Sequence, residues 1–285
     1  MDKVVFFSTI KGDVDYFPVQ KMSSCKFNWQ TRAKQEMKEI SEEGSTTTTH
    51  YGKCPSFPLL NSMGVAVILP YDIHLSVDED NNLNWHTPGS INLVDADAKG
   101  TGGVVADIVP IEWHSRHSVS ESHTIIANGV LKINTSWIVG STNPNLKLLI
   151  LPVMTPDQDI FTASGGMLDL SKDINFLNVQ GYIRGNFKNY VLRAGTPLMH
   201  VIPFTDKKIE IEIRDAVEND HQMASSLLYI TSRGLAKPRR QQMVTKAKKK
   251  WIEAETRTTN VLRGKANNFF RNTKNWFKKR GDAFS

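Results

Sequence analysis

The chain has 285 residues, of which 40% are hydrophobic and 22% are charged, and its formal net charge is +6. That composition is ordinary for a globular protein, and the length allows one large domain with attachments. The opening stretch Met1–Phe7 is too short for a secretory signal peptide, and no apolar run approaches the roughly 18 residues of a membrane span. We therefore expect a protein that is not secreted.

The charge is distributed unevenly along the chain. Residues 237–285 hold 15 basic and 3 acidic residues, a net of +12, whereas the preceding 236 residues hold 20 basic and 26 acidic residues, a net of −6. Such a split predicts a basic tail on a mildly acidic domain.

Only two cysteines are present, Cys25 and Cys54. They could pair, but a chain that is not exported favours reduced thiols, so we expect two buried, inert cysteines. Neither lies in a CxxC pair or beside histidines at the spacing of a zinc site, which argues against a structural zinc.

Short β-rich runs dominate the chain from its start to about Arg214. Val4–Thr9 predicts an opening strand, and the continuous apolar run Gly64–Pro70 predicts a strand buried on both faces. Asp72–Val77 and Leu83–His86 predict a hairpin. Between Ile125 and Pro203 further short strands alternate with turn formers such as Asn128-Gly129 and Gly165-Gly166. This spacing predicts a mainly β fold, a β-sandwich or a jelly-roll or cupin-like barrel.

The last strand of the β region has the clearest pattern. Residues 208–214 alternate perfectly, which predicts that Ile209, Ile211 and Ile213 face inward and that the charged residues face outward. Helical character follows, with breaks at Gly234 and Pro238. We therefore predict a β domain over 1–215, best defined over 53–215, then a helical connector over 216–236 and a basic tail over 237–285.

The tail has apolar residues close to the three-and-four spacing of an amphipathic helix, with lysines and arginines elsewhere. Gly264 and a pair of threonines weaken the pattern near the middle. A continuous helix over Gln241–Arg280 would be too long to pack wholly on its own domain, so we expect it to have a partner. The candidate partner-binding residues are Lys248, Lys249, Lys250, Trp251, Phe269, Phe270, Trp276 and Phe277.

Several partners suit such a tail. Its lysines and arginines could neutralise the phosphates of a nucleic acid without sequence choice. Its aromatic residues could instead lie in a lipid interface or in the groove of a protein partner, and of these the membrane fits less well. The alternative is a solvated, partly disordered tail, which the regular apolar spacing disfavours.

Histidines provide weak candidates for a metal site. His114, His117 and His123 lie near Glu112 and Glu121, and two histidines with one carboxylate can hold iron or another divalent metal in an oxygenase. On a strand, however, His114 and His117 would point to opposite faces, so only a loop or a bulge would bring them together. Solvated loop histidines are the alternative.

His200 follows a Gly195-Thr196-Pro197 turn that has some character of the second cupin motif. A single histidine without partners is more often a hydrogen-bonded core or surface residue. The sequence has no phosphate loop, no GxSxG elbow and no recognisable Cys/His nucleophile pattern, so we predict no catalytic residue.

Several motifs resemble uncharacterised proteins of tailed phages, especially marine myoviruses, which are similar to a bacterial domain of unknown function. The motifs are Lys53–Phe57, Pro70–Ile73 with Trp85, Leu131–Ile138, Gly195–Leu198 and Val201–Phe204. The resemblance covers roughly Val4 to Arg214 and leaves out the basic tail. It implies a compact β domain and a viral setting, and it brings no catalytic residue with it.

Two hypotheses follow. In the first, the chain is a non-enzymatic structural or assembly protein of a phage, located in the virion or the host cytoplasm. Its β domain and tail would bind protein partners in a homo- or hetero-oligomer, the tail would also be a candidate for nucleic-acid binding, and no cofactor is expected. In the alternative, it is a cupin-like enzyme, such as an iron oxygenase, that holds a divalent metal through the histidines.

Overall fold

A computed structural model describes residues 2–16, 18–25, 56–79, 83–87, 91–92, 107–108, 111–114, 129–153, 160–172, 176–183 and 187–281. In the last helix, side chains are described as far as Val261. The strands are β1 Asp2–Ser8, β2 Gln20–Lys21, β3 Val65–Ile68, β4 Ile73–Val77, β5 Leu83–His86, β6 Ile91–Asn92, β7 Asp107–Ile108, β8 Ile111–His114, β9 Gly129–Ile133, β10 Trp137–Ser141, β11 Lys147–Pro152, β12 Phe161–Ala163, β13 Gly166–Asp169, β14 Val179–Ile183, β15 Asn189–Leu192, β16 Pro197–Phe204 and β17 Ile209–Asp215.

Helices are short in the β region and long after it. Among the described residues, the α-helices are α1 Asp13–Tyr16, α2 Ser56–Asn61, α3 Glu218–Ser232 and α4 Lys237–Gly281, and a 3₁₀ turn covers Met22–Ser24. The protein is therefore mainly β with a C-terminal pair of helices, as the sequence predicts.

The strands form several small sheets. A five-stranded sheet has the order β13-β11-β16-β3-β2, and a four-stranded sheet has the order β12-β14-β9-β8. Two three-stranded sheets have the orders β15-β4-β5 and β10-β1-β17, and β6 pairs with β7. All of these pairings are antiparallel except that of β1 with β17, which is parallel and joins the two ends of the β region.

Several local predictions are confirmed. The predicted hairpin is β4–β5, in which His74 lies opposite His86 and Val77 lies opposite Leu83. The continuous apolar run of β3 is buried at every position. Its alternate residues enter two different clusters, Val65 and Val67 in the main core and Ala66 and Ile68 in a smaller one. A strand without polar positions thus has both faces covered, as such a run predicts.

The main core lies among the sheets. It collects buried side chains from strands in four of the sheets, including Val4, Phe6, Val67, Leu131, Trp137 and Val201. The isoleucines of β17 are partly buried and pack against this core, which confirms that Ile209, Ile211 and Ile213 face inward.

The first strand is covered on both sides. Val4 and Phe6 belong to the main core, whereas Val5 and Phe7 belong to a second cluster formed with α3 and α4. Because neighbouring residues of a strand point to opposite faces, the run Val4–Phe7 needs an apolar layer on each side of its sheet. The strands supply one layer and the C-terminal helices supply the other.

The tail forms one helix. Residues 216–236 contain α3, and α4 begins at Lys237. The helix continues through Gly264, so the weakening predicted there does not interrupt it. A helix of 45 residues is about 67 Å long at 1.5 Å per residue. That is more than the diameter of a small domain.

Candidate functional site

The candidate functional region is the helical layer, by which we mean α3 together with the part of α4 that packs on the sheet β10-β1-β17. The sheet contributes Val5, Phe7 and Ile138 to a buried apolar cluster. The helices contribute Met223, Ala224, Leu227, Ile230, Val244 and Trp251. Burial of these side chains attaches both helices to the β region, since each buried aliphatic or aromatic side chain contributes about 1.5–3 kcal/mol.

Trp251 is the largest side chain that α4 places in this cluster. It is 3% exposed, and its Nε1 donates a hydrogen bond to Oδ1 of Asp220 at 2.6 Å. The indole ring lies against the backbone of Gly140, where an added Cβ would be 2.5 Å from Cη2 of Trp251. Gly140 therefore allows β10 and α4 to approach more closely than any larger residue would permit.

Five charged side chains join the sheet to the helices beside Trp251. We call them the ionic cluster, and its members are Lys3 of β1, Glu212 and Arg214 of β17, Asp220 of α3 and Glu255 of α4. With two cations and three anions, the cluster has a formal charge of −1. It connects the first strand of the chain to three consecutive elements near its C-terminal end, β17, α3 and α4.

Arg214 lies at the centre of the ionic cluster. Its guanidinium contacts Asp220 through Nη1, and its Nε donates to Oε1 of Glu212 at 2.9 Å. Its Nη2 donates to Oε2 of Glu255 at 3.2 Å. One arginine thus binds carboxylates from its own strand and from both helices, a use of the planar guanidinium that the point charge of a lysine cannot reproduce.

Asp220 is the most deeply buried charge, since it is 0% exposed. Besides Arg214 and Trp251, it accepts a hydrogen bond from the backbone N–H of Val217 at 2.9 Å. That N–H lies at the start of α3, where the backbone donors of a helix have no partner within the helix. A buried carboxylate is tolerated here because three different donors compensate its lost hydration.

Lys3 completes the cluster from β1. Its Nζ lies 2.6 Å from Oε2 of Glu212 and 3.0 Å from Oε1 of Glu255. Burial alone would lower the pKa of Lys3, but the hydrogen bonds and charges of these two carboxylates outweigh that effect and raise its pKa above the ordinary 10.5. Lys3 is therefore held in its charged form.

The ionic cluster corrects one prediction. The alternation of β17 predicts that its charged residues face outward, which implies water, and Glu210 is indeed exposed. Glu212 and Arg214 also lie on the face away from the main core, but that face is covered by the helical layer, and their side chains are only 34% and 17% exposed. The period of a strand identifies its two faces and does not tell what covers each one.

Two predicted partner-binding residues are buried within their own chain. Lys248 is 7% exposed, and its Nζ donates to the carbonyl oxygen of Leu170 at 2.6 Å. Trp251 packs on Gly140 as described above. In the structure both side chains attach α4 to the β region, and a role of either one in binding a partner stays a prediction. Lys249 and Lys250 are exposed, as the prediction requires.

The remaining predicted partner-binding residues, Phe269, Phe270, Trp276 and Phe277, belong to the distal part of α4. The last buried side chain along α4, within the part whose side chains are described, is that of Glu255. The helix continues for 26 residues after Glu255, which corresponds to about 39 Å.

A cleft lies between the helical layer and the turns next to it. Its volume is about 600 Å³, within the range of small-ligand sites. The walls come from the β10–β11 turn, from the turn at residues 170–172 and from α4, and Gly140, Met223 and Trp251 contribute to its lining. Gln241 and Ser171 also line the cleft, and Nε2 of Gln241 donates to the carbonyl oxygen of Ser171 at 3.2 Å.

Among the predicted histidines, the structure describes the side chain of His200 alone. His200 is 2% exposed, and its Nε2 lies 2.7 Å from the carbonyl oxygen of Met63, to which it donates. Burial lowers its pKa, an effect that the hydrogen bond partly offsets. This arrangement is that of a hydrogen-bonded core histidine, with the Nε2 position already in use.

The side chains of the other three predicted metal ligands lie outside the described residues. His114 ends β8, where its backbone lies opposite Val130, and its side chain is outside the described residues. His117 and His123 are also outside them. Within the described ranges, no group of three or more His, Cys, Asp or Glu side chains converges as metal ligands do.

Cys25 is buried and has a free thiol. Burial raises its pKa from 9.0 to about 11, so the nucleophilic thiolate is disfavoured at neutral pH. This agrees with the prediction of an inert cysteine, whereas Cys54 lies outside the described residues.

Comparison of the chain with protein-family models and with curated proteins finds no match. Among the residues that the structure describes, no helix is both long and apolar enough to cross a membrane.

Proposed function

We propose that the chain is a non-enzymatic structural or assembly protein of a tailed phage, present in the virion or in the host cytoplasm during assembly. In this proposal the β region is a sandwich or jelly-roll-like body, and α4 is an arm that binds a protein partner. The basic residues of α4 are a candidate surface for nucleic acid. The viral setting comes from the resemblance carried by motifs such as Pro70–Ile73 and Leu131–Ile138.

The observation that carries the proposal is the division of α4 into two parts. Its first part is attached to the body by Val244, Trp251 and the ionic cluster. The helix then continues for 26 residues beyond Glu255. A fixed base with a long helical extension is a suitable arrangement for joining two subunits, because the base determines the direction in which the arm points.

The sequence of the distal part supports a helical partner. Leu262, Ala266, Phe269 and Trp276 follow one another at steps of four, three and seven residues, and Phe270 and Phe277 directly follow two of them. Steps of three and four are typical of the seam of a coiled coil, in which two or more helices bury one stripe of residues between them. The partner in this proposal is the same segment of a second copy or a helix of another virion protein.

The proposal is tested by the double substitution Trp276→Ser with Phe277→Ser, compared with the parent in sedimentation equilibrium over a range of concentrations. We expect a multimer for the parent and a smaller particle for the variant, because the seam loses two large apolar side chains. The matched control is Tyr229→Ser, since Tyr229 is 41% exposed on α3. An unchanged mass for the double variant, with the parent multimeric, would remove the proposed role of the arm.

A further inference from the structure

The attached part of α4 carries a row of cations on its solvent side. Arg239, Lys246, Lys250 and Arg257 are all exposed. At about 100° per residue, their positions around the helix fall within an arc of about 40°, and they extend over about 27 Å of the helix axis. We call these four residues the basic row.

The basic row lies opposite the packed face of the helix. Val244, Lys248, Trp251 and Glu255 are buried, and on the same scale they are centred about 150° from the row. The contacts that fix α4 to the sheet therefore also fix the direction in which the row points. A preorganised row loses less conformational entropy on binding than the same residues in a mobile tail.

The cations of the row are available. Within the described residues, none of Arg239, Lys246, Lys250 and Arg257 forms an ion pair. The side chain of Arg257 makes one hydrogen bond, from its Nε to the backbone oxygen of Glu253 at 3.3 Å. Among the described side chains of α4, Glu253 is the one exposed acid. By contrast, Lys3 and Arg214 form ion pairs with carboxylates of the ionic cluster.

The residues around the row favour a nucleic acid over a lipid surface or a protein as its partner. An interfacial helix needs a continuous apolar face for the lipid, and along the attached part of α4 that face is buried on its own body. Protein interfaces are enriched in aromatic residues and depleted of lysine, whereas the only exposed large apolar residue among the described side chains of α4 is Val261. A row recognised through charge alone suits the phosphodiester backbone of a nucleic acid.

We propose that the basic row binds the phosphates of a nucleic acid without sequence preference. This inference rests on the proposed role of α4 as a binding arm, but it concerns another part and another face of the helix. Over 27 Å a duplex presents about eight phosphates per strand, at one per 3.4 Å. Phosphates of the duplex therefore outnumber the four cations over the length of the row, so that each cation can have a phosphate partner.

The number of contacts predicts the salt dependence. Each neutralised phosphate contributes about −0.9 to the slope of log K against log salt on a duplex and about −0.7 on a single strand. Four contacts give slopes of about −3.6 and −2.8. Between 50 and 200 mM salt, binding to a duplex should therefore weaken about 150-fold.

The experiment is fluorescence anisotropy of the full chain with a labelled 20-base-pair duplex and with the corresponding single strand, from 50 to 300 mM salt. The test variant is Lys246→Glu with Lys250→Glu, and the control is Lys207→Glu with Lys208→Glu, exposed lysines of the β16–β17 turn. Both pairs change the net charge equally. We expect the test variant to reduce the duplex slope to about −1.8, so that binding weakens only about 12-fold over the same interval.

Three outcomes would overturn the inference: no binding to either strand form at 50 mM salt, equal effects of the two lysine pairs, or displacement of the oligonucleotide by polyglutamate at equal charge concentration. Arg239→Gln with Arg257→Gln is a second test variant, for use if the first loses helical circular dichroism. The substitution of Trp276 and Phe277 should change the mass of the particle and leave the slope per chain unchanged, so failure of this inference and failure of the proposed function are distinguishable.

Discussion

The two faces of the sheet β10-β1-β17 are stabilised in different ways. Toward the main core, β1 presents Val4 and Phe6, which pack in that cluster with apolar side chains from other strands. Toward the helical layer, it presents Val5 and Phe7 together with Lys3, which enters the ionic cluster. In the middle of the strand, β1 thus combines apolar packing on one side with apolar packing and ion pairs on the other.

The two kinds of contact differ in how closely they determine the position of one layer on another. Apolar burial is non-directional, so it favours compactness and tolerates small shifts of one layer over another. The bonds of Arg214 and Asp220 require particular distances and directions, and they fix α3 and α4 at one position on the sheet. We infer that the ionic cluster sets the orientation of the helical layer and that apolar burial supplies most of its stability.

Among the predicted effects on stability, the largest is expected from the removal of Asp220. In Asp220→Ala, Arg214, the indole N–H of Trp251 and the N–H of Val217 all lose a buried partner. We expect the free energy of unfolding to fall by about 3–5 kcal/mol, the usual cost of breaking a buried ion pair. Urea unfolding measures the loss, and hydrogen exchange should show that α3 and α4 lose protection before β3 and β16.

The control for this substitution is Asp206→Ala, at an exposed position. It should change the free energy of unfolding by less than about 0.5 kcal/mol. A loss of protection in β3 as large as that in α3 would contradict the separate roles of the two faces.

A smaller effect is expected from Gly140→Ala, which perturbs only the helical side. The new methyl group would lie 2.5 Å from Cη2 and 2.7 Å from Cζ2 of Trp251, so the indole and α4 must move outward. Overpacking of this kind costs about 1–3 kcal/mol. Gly166→Ala is the matched control, because its Cβ would have no atom within 4 Å. Equal urea midpoints for the two variants would show that Trp251 is not held against β10.

The smallest effect is a pH dependence contributed by Lys3. Because its pKa is raised in the folded state, the stability that it contributes is complete below the unfolded value of 10.5 and is lost as the pH rises through the raised value. The difference in free energy of unfolding between the parent and Lys3→Met should therefore shrink as the pH rises above about 10.5. Lys207→Met serves as the exposed control. A difference that stays constant up to pH 11.5 would separate Lys3 from the electrostatics of the cluster.

Elements with strong local patterns could be predicted from the sequence. The alternation of β17, the apolar run of β3 and the β4–β5 hairpin each depend on residues that are close in the chain, and each is present. The start of α4 at Lys237 follows the same logic, since the composition changes there. A mainly β fold could be predicted, because it requires only the number and spacing of such elements.

The partners of these elements could not be predicted in the same way. An amphipathic helix shows that one of its faces is covered and does not identify the cover. The sequence therefore suggests an external partner for Lys248 and Trp251, whereas in the structure both contact the β region of their own chain. Asp220 was missed entirely, because its environment depends on Arg214 and Trp251, and Trp251 lies 31 residues away. Only the apolar sequence Val4–Phe7, which needs a cover on both faces, contained a signal for the helical layer.

The parallel pairing of β1 with β17 has a consequence for synthesis of the chain. Lys3 and Glu255 are separated by 252 residues, so the ribosome, at about 5–20 residues per second, needs about 13–50 s to make the second after the first. During that interval Val5 and Phe7 have no helical layer to cover them. The first strand is therefore made well before the helices that cover its second face, and Val5 and Phe7 have their complete cover only after Trp251 of α4 has been made.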